Sequence, residues 1–139
     1  KLIAEKYQLV NVKYNGSEIT DEKLLVLLKL KNHIISLDIS DANLKDTQLD
    51  IISKFDNIMF LNIQKNPISD LGAVKLQSLQ HIEKLNLYGT NISNSSLSIF
   101  SKITSLKKIY LWKTEVTQEE LEDFNTENPT KEGFLGIEK

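Results

Sequence analysis

The 139-residue chain is long enough for one domain with a single buried core, and 40% hydrophobic with 26% charged residues marks it as globular. A formal charge of −2 without arginine provides neither a general pull on phosphate nor a planar fork to clamp it, which argues against nucleic acid as a partner. Zero cysteines exclude disulfides, thiolate metal sites and a thiol nucleophile. No apolar run approaches the ~20 residues of a membrane span, so no direct membrane insertion is expected of this segment. The chain opens on Lys1 and is expected to be part of a longer protein.

Residues 1–8 read as the end of a preceding helix or an N-terminal flank. A first unit follows, LVNVKYNGSEI from Leu9, with a strand expected near Val12 and then Leu24, Leu27 and Leu30 on one helical face. Taken alone, Asn15-Gly16 resembles a two-residue hairpin turn. The register of the later units places it instead where the first strand ends. The second unit, IISLDISDANL from Ile34, centres a strand near Leu37 and continues with Leu49, Ile52 and Phe55. The third, IMFLNIQKNPI from Ile58, centres on Leu61 and continues with Ala73, Leu76 and Leu79. The fourth, IEKLNLYGTNI from Ile82, centres on Leu85 and is followed by Leu97, Phe100 and Ile103. The fifth, LKKIYLWKTEV from Leu106, centres on Ile109 and is followed by Leu121 and Phe124.

Thr20, Ser69, Ser93 and Thr117 stand where helix N-caps belong, and Thr117 with Glu120 makes a capping box. Lys45 breaks that column, so the second helix is expected to start at Asp46. After Asn125 the periodicity stops, and 126–139 reads as a tail or cap, with an exposed-looking Phe134 and Leu135, folding over the open C-terminal end.

The period is carried by the apolar pairs Tyr14/Ile19, Ile39/Leu44, Ile63/Ile68, Leu87/Ile92 and Leu111/Val116, whose first members recur at intervals of 25, 24, 24 and 24 residues. Each unit matches L-x-x-L-x-L-x-x-N-x-L in its apolar places. On these residues the chain resembles leucine-rich repeat proteins over about residues 9–125. The resemblance implies an α/β fold: a leucine-rich repeat solenoid, a right-handed β-α superhelix of five repeats of 24–25 residues, with a parallel sheet on the concave face and helices on the convex face. The consensus asparagine position holds Ser17, Ala42, Asn66, Thr90 and Thr114. Ala42 has no side-chain hydrogen bond to offer, so its turn is expected to be the least well satisfied.

LNLYGTNIS and IYLWKTEVT also resemble the C-terminal repeats of large bacterial membrane-anchored proteins that carry a cytochrome c domain upstream. That likeness implies a periplasmic or otherwise extracytoplasmic location as part of such a protein. This chain has no Cys-x-x-Cys-His, so any haem belongs to sequence outside it.

Alternation along a strand sends the residues flanking each buried pair to the opposite face. Three outward columns result: Asn11, Ser36, Phe60, Lys84 and Lys108; Lys13, Asp38, Asn62, Asn86 and Tyr110; Asn15, Ser40, Gln64, Tyr88 and Trp112. Phe60, Tyr88, Tyr110 and Trp112 gather toward the C-terminal half with Lys84, Lys108 and Lys113 around them. Rigid aromatics of this kind dominate protein interfaces. A non-enzymatic protein-interaction module is therefore expected, with the aromatics, Lys84, Lys108, Asn62 and Asn86 as contact residues. A glycan-binding face is the alternative, since Asn62, Asn86 and Gln64 accompany the rings. His33 and His81 each precede the first apolar residue of a unit and read as turn residues rather than a catalytic pair. Asp38 and Asp41 read as solvated carboxylates. No nucleophile elbow, zinc-protease helix or phosphate loop is present, so no enzyme, cofactor or metal is expected. The triplets at Asn15, Asn91 and Asn94 fit glycosylation acceptors, relevant only in a secreted eukaryotic chain, which nothing suggests.

Overall fold

The computed structural model describes residues 9–136. The flank expected over 1–8 lies outside the described residues. Six short strands, β1 (Val10–Lys13), β2 (Ile34–Asp38), β3 (Phe60–Asn62), β4 (Lys84–Asn86), β5 (Lys108–Tyr110) and β6 (Glu132–Phe134), form one sheet in chain order. Every neighbouring pair is parallel, and partners from β2 onward are 24 residues apart, as in Leu37↔Leu61, Leu61↔Leu85 and Leu85↔Ile109. The fold is thus α/β, with five helices among the described residues alternating with the strands: α1 (Asp21–Leu28), α2 (Leu49–Ile52), α3 (Asp70–Ala73), α4 (Leu97–Ser101) and α5 (Gln118–Glu127). The middle three are completed by short 3-10 segments.

The repeated apolar residues fill one continuous core between sheet and helices. Leu37, Leu85, Ile109, Ile39, Leu87, Leu111, Phe55 and Phe100 are fully buried. Each such side chain contributes about 1.5 to 3 kcal/mol by leaving water. The first helix departs from expectation. Leu24 is buried, but Leu30, equivalent to the buried Phe55, Leu79 and Ile103, is 48% exposed. Its unit lies at one end of the stack, with a described neighbour on one side only.

The chain leaves each of the first five strands through a residue in the left-handed conformation: Gly16, Asp41, Lys65, Gly89 and Lys113 all have φ between 51° and 75°. Asn15-Gly16 is therefore one member of this series and no hairpin, as the register predicts. The amides of Gly16, Asp41, Lys65 and Gly89 each donate to a carbonyl of the following unit, at 2.7 to 3.2 Å, which extends the parallel ladder into the turns. The next turn residues are bonded as their chemistry allows. Thr90 Oγ1 donates to Leu87 O and Thr114 Oγ1 to Leu111 O, both at 2.6 Å.

The Ala42 turn is not the weak one. Asn66, 3% exposed, reaches back a whole unit: its Oδ1 accepts from Ala42 N at 3.0 Å and Leu44 N at 2.9 Å, while its Nδ2 donates to Ile39 O at 2.7 Å and Ile63 O at 3.0 Å. The consensus position can act between units, and for that reason the local expectation at Ala42 fails.

The helices open at the residues read, but Thr117 and Glu120 form only half of the expected capping box: Thr117 Oγ1 accepts from Glu120 N, whereas the Thr117 amide donates to Asn94 Oδ1 instead of to the Glu120 side chain. Thr20, Ser69, Ser93 and Thr117 accept from helix amides, and the second helical segment begins at Asp46 with the Lys45 amide donating to Gln48 Oε1 at 2.9 Å. A second set of inter-unit bonds runs along these caps. Asp46 accepts from Ser69 N and Oγ at 2.8 and 2.5 Å, Asp70 accepts from Ser93 N and Oγ at 2.9 and 2.5 Å, and Asn94 Oδ1 accepts from Thr117 N at 2.9 Å. Gly72 is required here, because a Cβ at that position would collide with the Asp46 carboxylate and Leu49.

Asp70 also accepts from Ser96 Oγ. Partial burial raises its pKa, but the Ser93 and Ser96 hydroxyls and the Ser93 amide outweigh that and hold it below the ordinary aspartate value. A carboxylate depressed in the folded state contributes stability that is present above the unfolded pKa and lost as pH falls through the folded one. Asp70→Asn is therefore expected to be less stable than the parent at pH 6, with the gap narrowing at about pH 3. Urea midpoints at the two pH values test this, and a gap independent of pH would mean that the charge contributes nothing.

The C-terminal segment is not a loose cover. It supplies β6, paired with β5 through Lys108↔Glu132, Ile109↔Gly133 and Tyr110↔Phe134, so the sheet has six strands where five are expected. Leu135 packs against the core, and Phe134 is half-buried. Gly133 lets β6 approach α5, since a Cβ there would meet Leu121 Cδ1 at 2.5 Å. Asn125 bonds both outward-facing groups of Gly133, accepting from its N at 2.8 Å and donating to its O at 3.2 Å. These two bonds close the middle of an edge that would otherwise invite another strand.

Candidate functional site

The sheet face opposite the helices carries the predicted columns in register. Phe60, Lys84, Lys108 and Glu132 form one row, Asn62, Asn86, Tyr110 and Phe134 the next. Trp112 is 42% exposed and meets Tyr88 edge-on, ring centroids 5.4 Å apart at 63°. Phe60 is 37% exposed. Ser40, the short member of the outer column, is buried.

Beside Tyr88 and Trp112 lies an open cleft of about 420 Å³, floored by Asn86 and Tyr110 and bounded by Gln64, Lys65 and Gly136. Among the described residues, the tail therefore rims the aromatic cluster at Gly136 without covering Trp112. It does cover part of Tyr110, which is half-buried with Phe134 stacked on it, centroids 5.3 Å apart at 17°. Tyr110 is consequently less available as a contact residue than the column alone implies.

Asn62 and Asn86 also have work of their own. Asn62 Oδ1 accepts from Gln64 N at 3.2 Å and Asn86 Oδ1 from Tyr88 N at 3.0 Å, as Asp38 Oδ1 does from Ser40 N. Each thus folds the backbone two residues on, and Asn62 Nδ2 further donates to Asp38 Oδ2 at 3.3 Å. Asp38 is consequently a bonded residue rather than merely a solvated one. Lys108 sits between Lys84 and Glu132 in register and is half-buried.

The cations gather over the rings. Lys113 Nζ lies 5.7 Å from both the Tyr88 and Trp112 centroids, Lys65 Nζ 5.8 Å from Tyr88, and Lys84 Nζ 5.5 Å from Phe60. Lys65, Phe134 and Gly136 are additions to the residues predicted from sequence. Lys65 was legible as the counterpart of Lys113 two units earlier. Phe134 and Gly136 stand 24 residues after Tyr110 and Trp112, but Thr130 and Gly133 replace the apolar residues that would have marked the unit.

The sequence matches no protein-family model, and no curated protein is significantly similar to it. The repeat register and the geometry of this face therefore carry the functional reading.

Elsewhere, His33 and His81 occupy helix-to-strand turns before β2 and β4, strands that are not neighbours in the sheet. His81 lines a separate cavity of about 490 Å³ with Leu9, Ile35, Met59 and the ion pair Glu83–Lys107, 2.8 Å. Among the described residues, no group of three or more histidines or carboxylates could hold a metal, and no helix is long and apolar enough to cross a membrane.

Proposed function

We propose that the chain is a leucine-rich repeat solenoid acting as a non-enzymatic protein-interaction module, with its partner held on the outward face of the sheet. The observation that carries this reading is Trp112, a costly side chain to leave 42% exposed, set edge-on to Tyr88 beside an open cleft. Support for the repeat architecture comes from six parallel strands in chain order at a 24-residue register. Placement outside the cytoplasmic membrane, within a larger membrane-anchored protein, belongs to the same proposal through the wording of the last units; fractionating the native full-length protein checks it.

The test is selection of peptides from an unbiased random display library on the purified domain, with Trp112 fluorescence as the readout for the parent and titration calorimetry for the variants. Selected ligands should shift the emission, and Trp112→Ala should weaken them by about thirtyfold or more. Tyr88→Ala should act in the same direction and combine non-additively with it, because the rings touch. Ligands that bind equally well without either ring would move the site elsewhere. A response to neutral oligosaccharides alone would favour the glycan reading.

A further inference from the structure

We propose that the occupant of this face is an acidic, extended polypeptide segment with one apolar side chain in the Tyr88–Trp112 cleft and carboxylates on Lys65 and Lys113. The inference rests on the interaction-module reading and adds the chemistry of the partner.

The first support is backbone conformation. The left-handed turn position recurs in five units, and at Gly16 and Gly89 it holds glycine, the residue that adopts positive φ without steric cost. At Lys65 and Lys113 it holds a lysine, with φ of 57° and 56°. These two units thus keep a long cationic side chain where the backbone disfavours one, and both cations are brought over the rings of the cleft.

The second support is charge. The chain as a whole is at −2, yet Lys65, Lys84 and Lys113 are exposed on one part of one face. Among the described residues none of the three is ion-paired. Asp41 takes the equivalent turn position in the second unit and, with Asp38 on β2, outweighs Lys13 on β1, so the net positive charge falls on the half of the sheet that carries the rings.

The third support is hydrogen-bonding capacity. Asn62 Oδ1 and Asn86 Oδ1 each already accept one bond within their own turns, and beside Gln64 and the Tyr88 hydroxyl the cleft is lined by the Lys65 and Lys113 ammonium groups, which only donate. Carboxylates only accept and carry the opposite charge, so they match these cations more fully than neutral sugar hydroxyls do. The edge-on rings with Lys113 above them also form a notch for a side chain rather than a flat platform for a sugar.

Lys65 and Lys113 belong to units whose strands lie two spacings apart, about 9.6 Å. An extended segment crossing the strands repeats same-side residues every ~6.8 Å, so acidic side chains flanking a single anchor fall within reach of both flexible lysines.

The experiment uses the purified domain, an extended peptide of about eight glutamates and aspartates with one central phenylalanine, and three comparison probes. These are the peptide with alanine for phenylalanine, the peptide with lysines for its acids, and an oligogalacturonate. The acidic phenylalanine peptide should shift Trp112 fluorescence and bind more weakly as salt rises from about 0.05 to 0.5 M. The alanine and lysine peptides should bind at least about tenfold more weakly. Lys65→Gly with Lys113→Gly should lose at least about tenfold in affinity while its melting temperature is unchanged or raised, since glycine suits the turn. Lys54→Gln with Lys102→Gln removes the same charge on the helical side and should change binding by less than about twofold. No binding of the acidic peptide, equal binding of the lysine peptide, or tighter binding of the oligogalacturonate overturns the proposal. If library ligands engage Trp112 but prove neutral or basic, the interaction module stands and only the acidic partner falls.

Discussion

Asn66→Ala is expected to cost about 3 to 5 kcal/mol of folding stability, the largest loss for any polar residue in the chain. The magnitude follows from what the carboxamide satisfies. Removing it strands the amides of Ala42 and Leu44 and the carbonyls of Ile39 and Ile63, in a region where Ile39, Ala42, Leu44 and Ile63 are all buried. A stranded buried group costs ~1 to 3 kcal/mol, and partial access of water keeps the sum below the total of the four. Asn66→Asp is also expected to destabilise, because it keeps the acceptors but turns a carboxylate toward two carbonyls. Thr90→Val, which removes one bond to Leu87 O, should cost only ~1 kcal/mol. Urea unfolding of the three variants gives the comparison. If Asn66→Ala and Thr90→Val are equally mild, the bonds between units are not what holds the second turn.

Leu111 and Trp112 are neighbours in sequence and should behave oppositely. Leu111 is fully buried, so Leu111→Ala leaves a cavity and is expected to cost ~2 to 5 kcal/mol. Trp112 stands out from the other face, held by its edge contact with Tyr88 and by Lys113, so Trp112→Ala should cost about 1 kcal/mol. Thermal midpoints of the purified variants decide this without any ligand. Equal destabilisation by the two would falsify the exposed placement of Trp112 and remove the main support for a contact surface on this face.

The apolar period alone was enough to place five strands, their parallel register, the core residues of the second to fifth units and the outward columns that bring Tyr88 beside Trp112. It succeeds because each unit repeats one local solution, so a 24-residue offset in sequence becomes one strand spacing in the sheet. The caps at Thr20, Ser69, Ser93 and Thr117 were legible for the same local reason.

Tertiary structure alone decided the rest. Nothing near Ala42 in sequence announces that Asn66 serves its turn, because the bond joins different units. Leu30 reads as core by spacing and is exposed because burial depends on what stacks above it. The sixth strand hides in sequence because Thr130 and Gly133 break the apolar pattern, and Gly133 is forced by the closeness of Leu121, a contact that exists only once α5 has folded back. The same strand puts Phe134 on Tyr110 and leaves Trp112 open, so the division of the aromatic cluster into a covered and an exposed part is set by packing between units. Composition sets how many rings and lysines the face holds; the left-handed turns at Lys65 and Lys113 set where the charges stand.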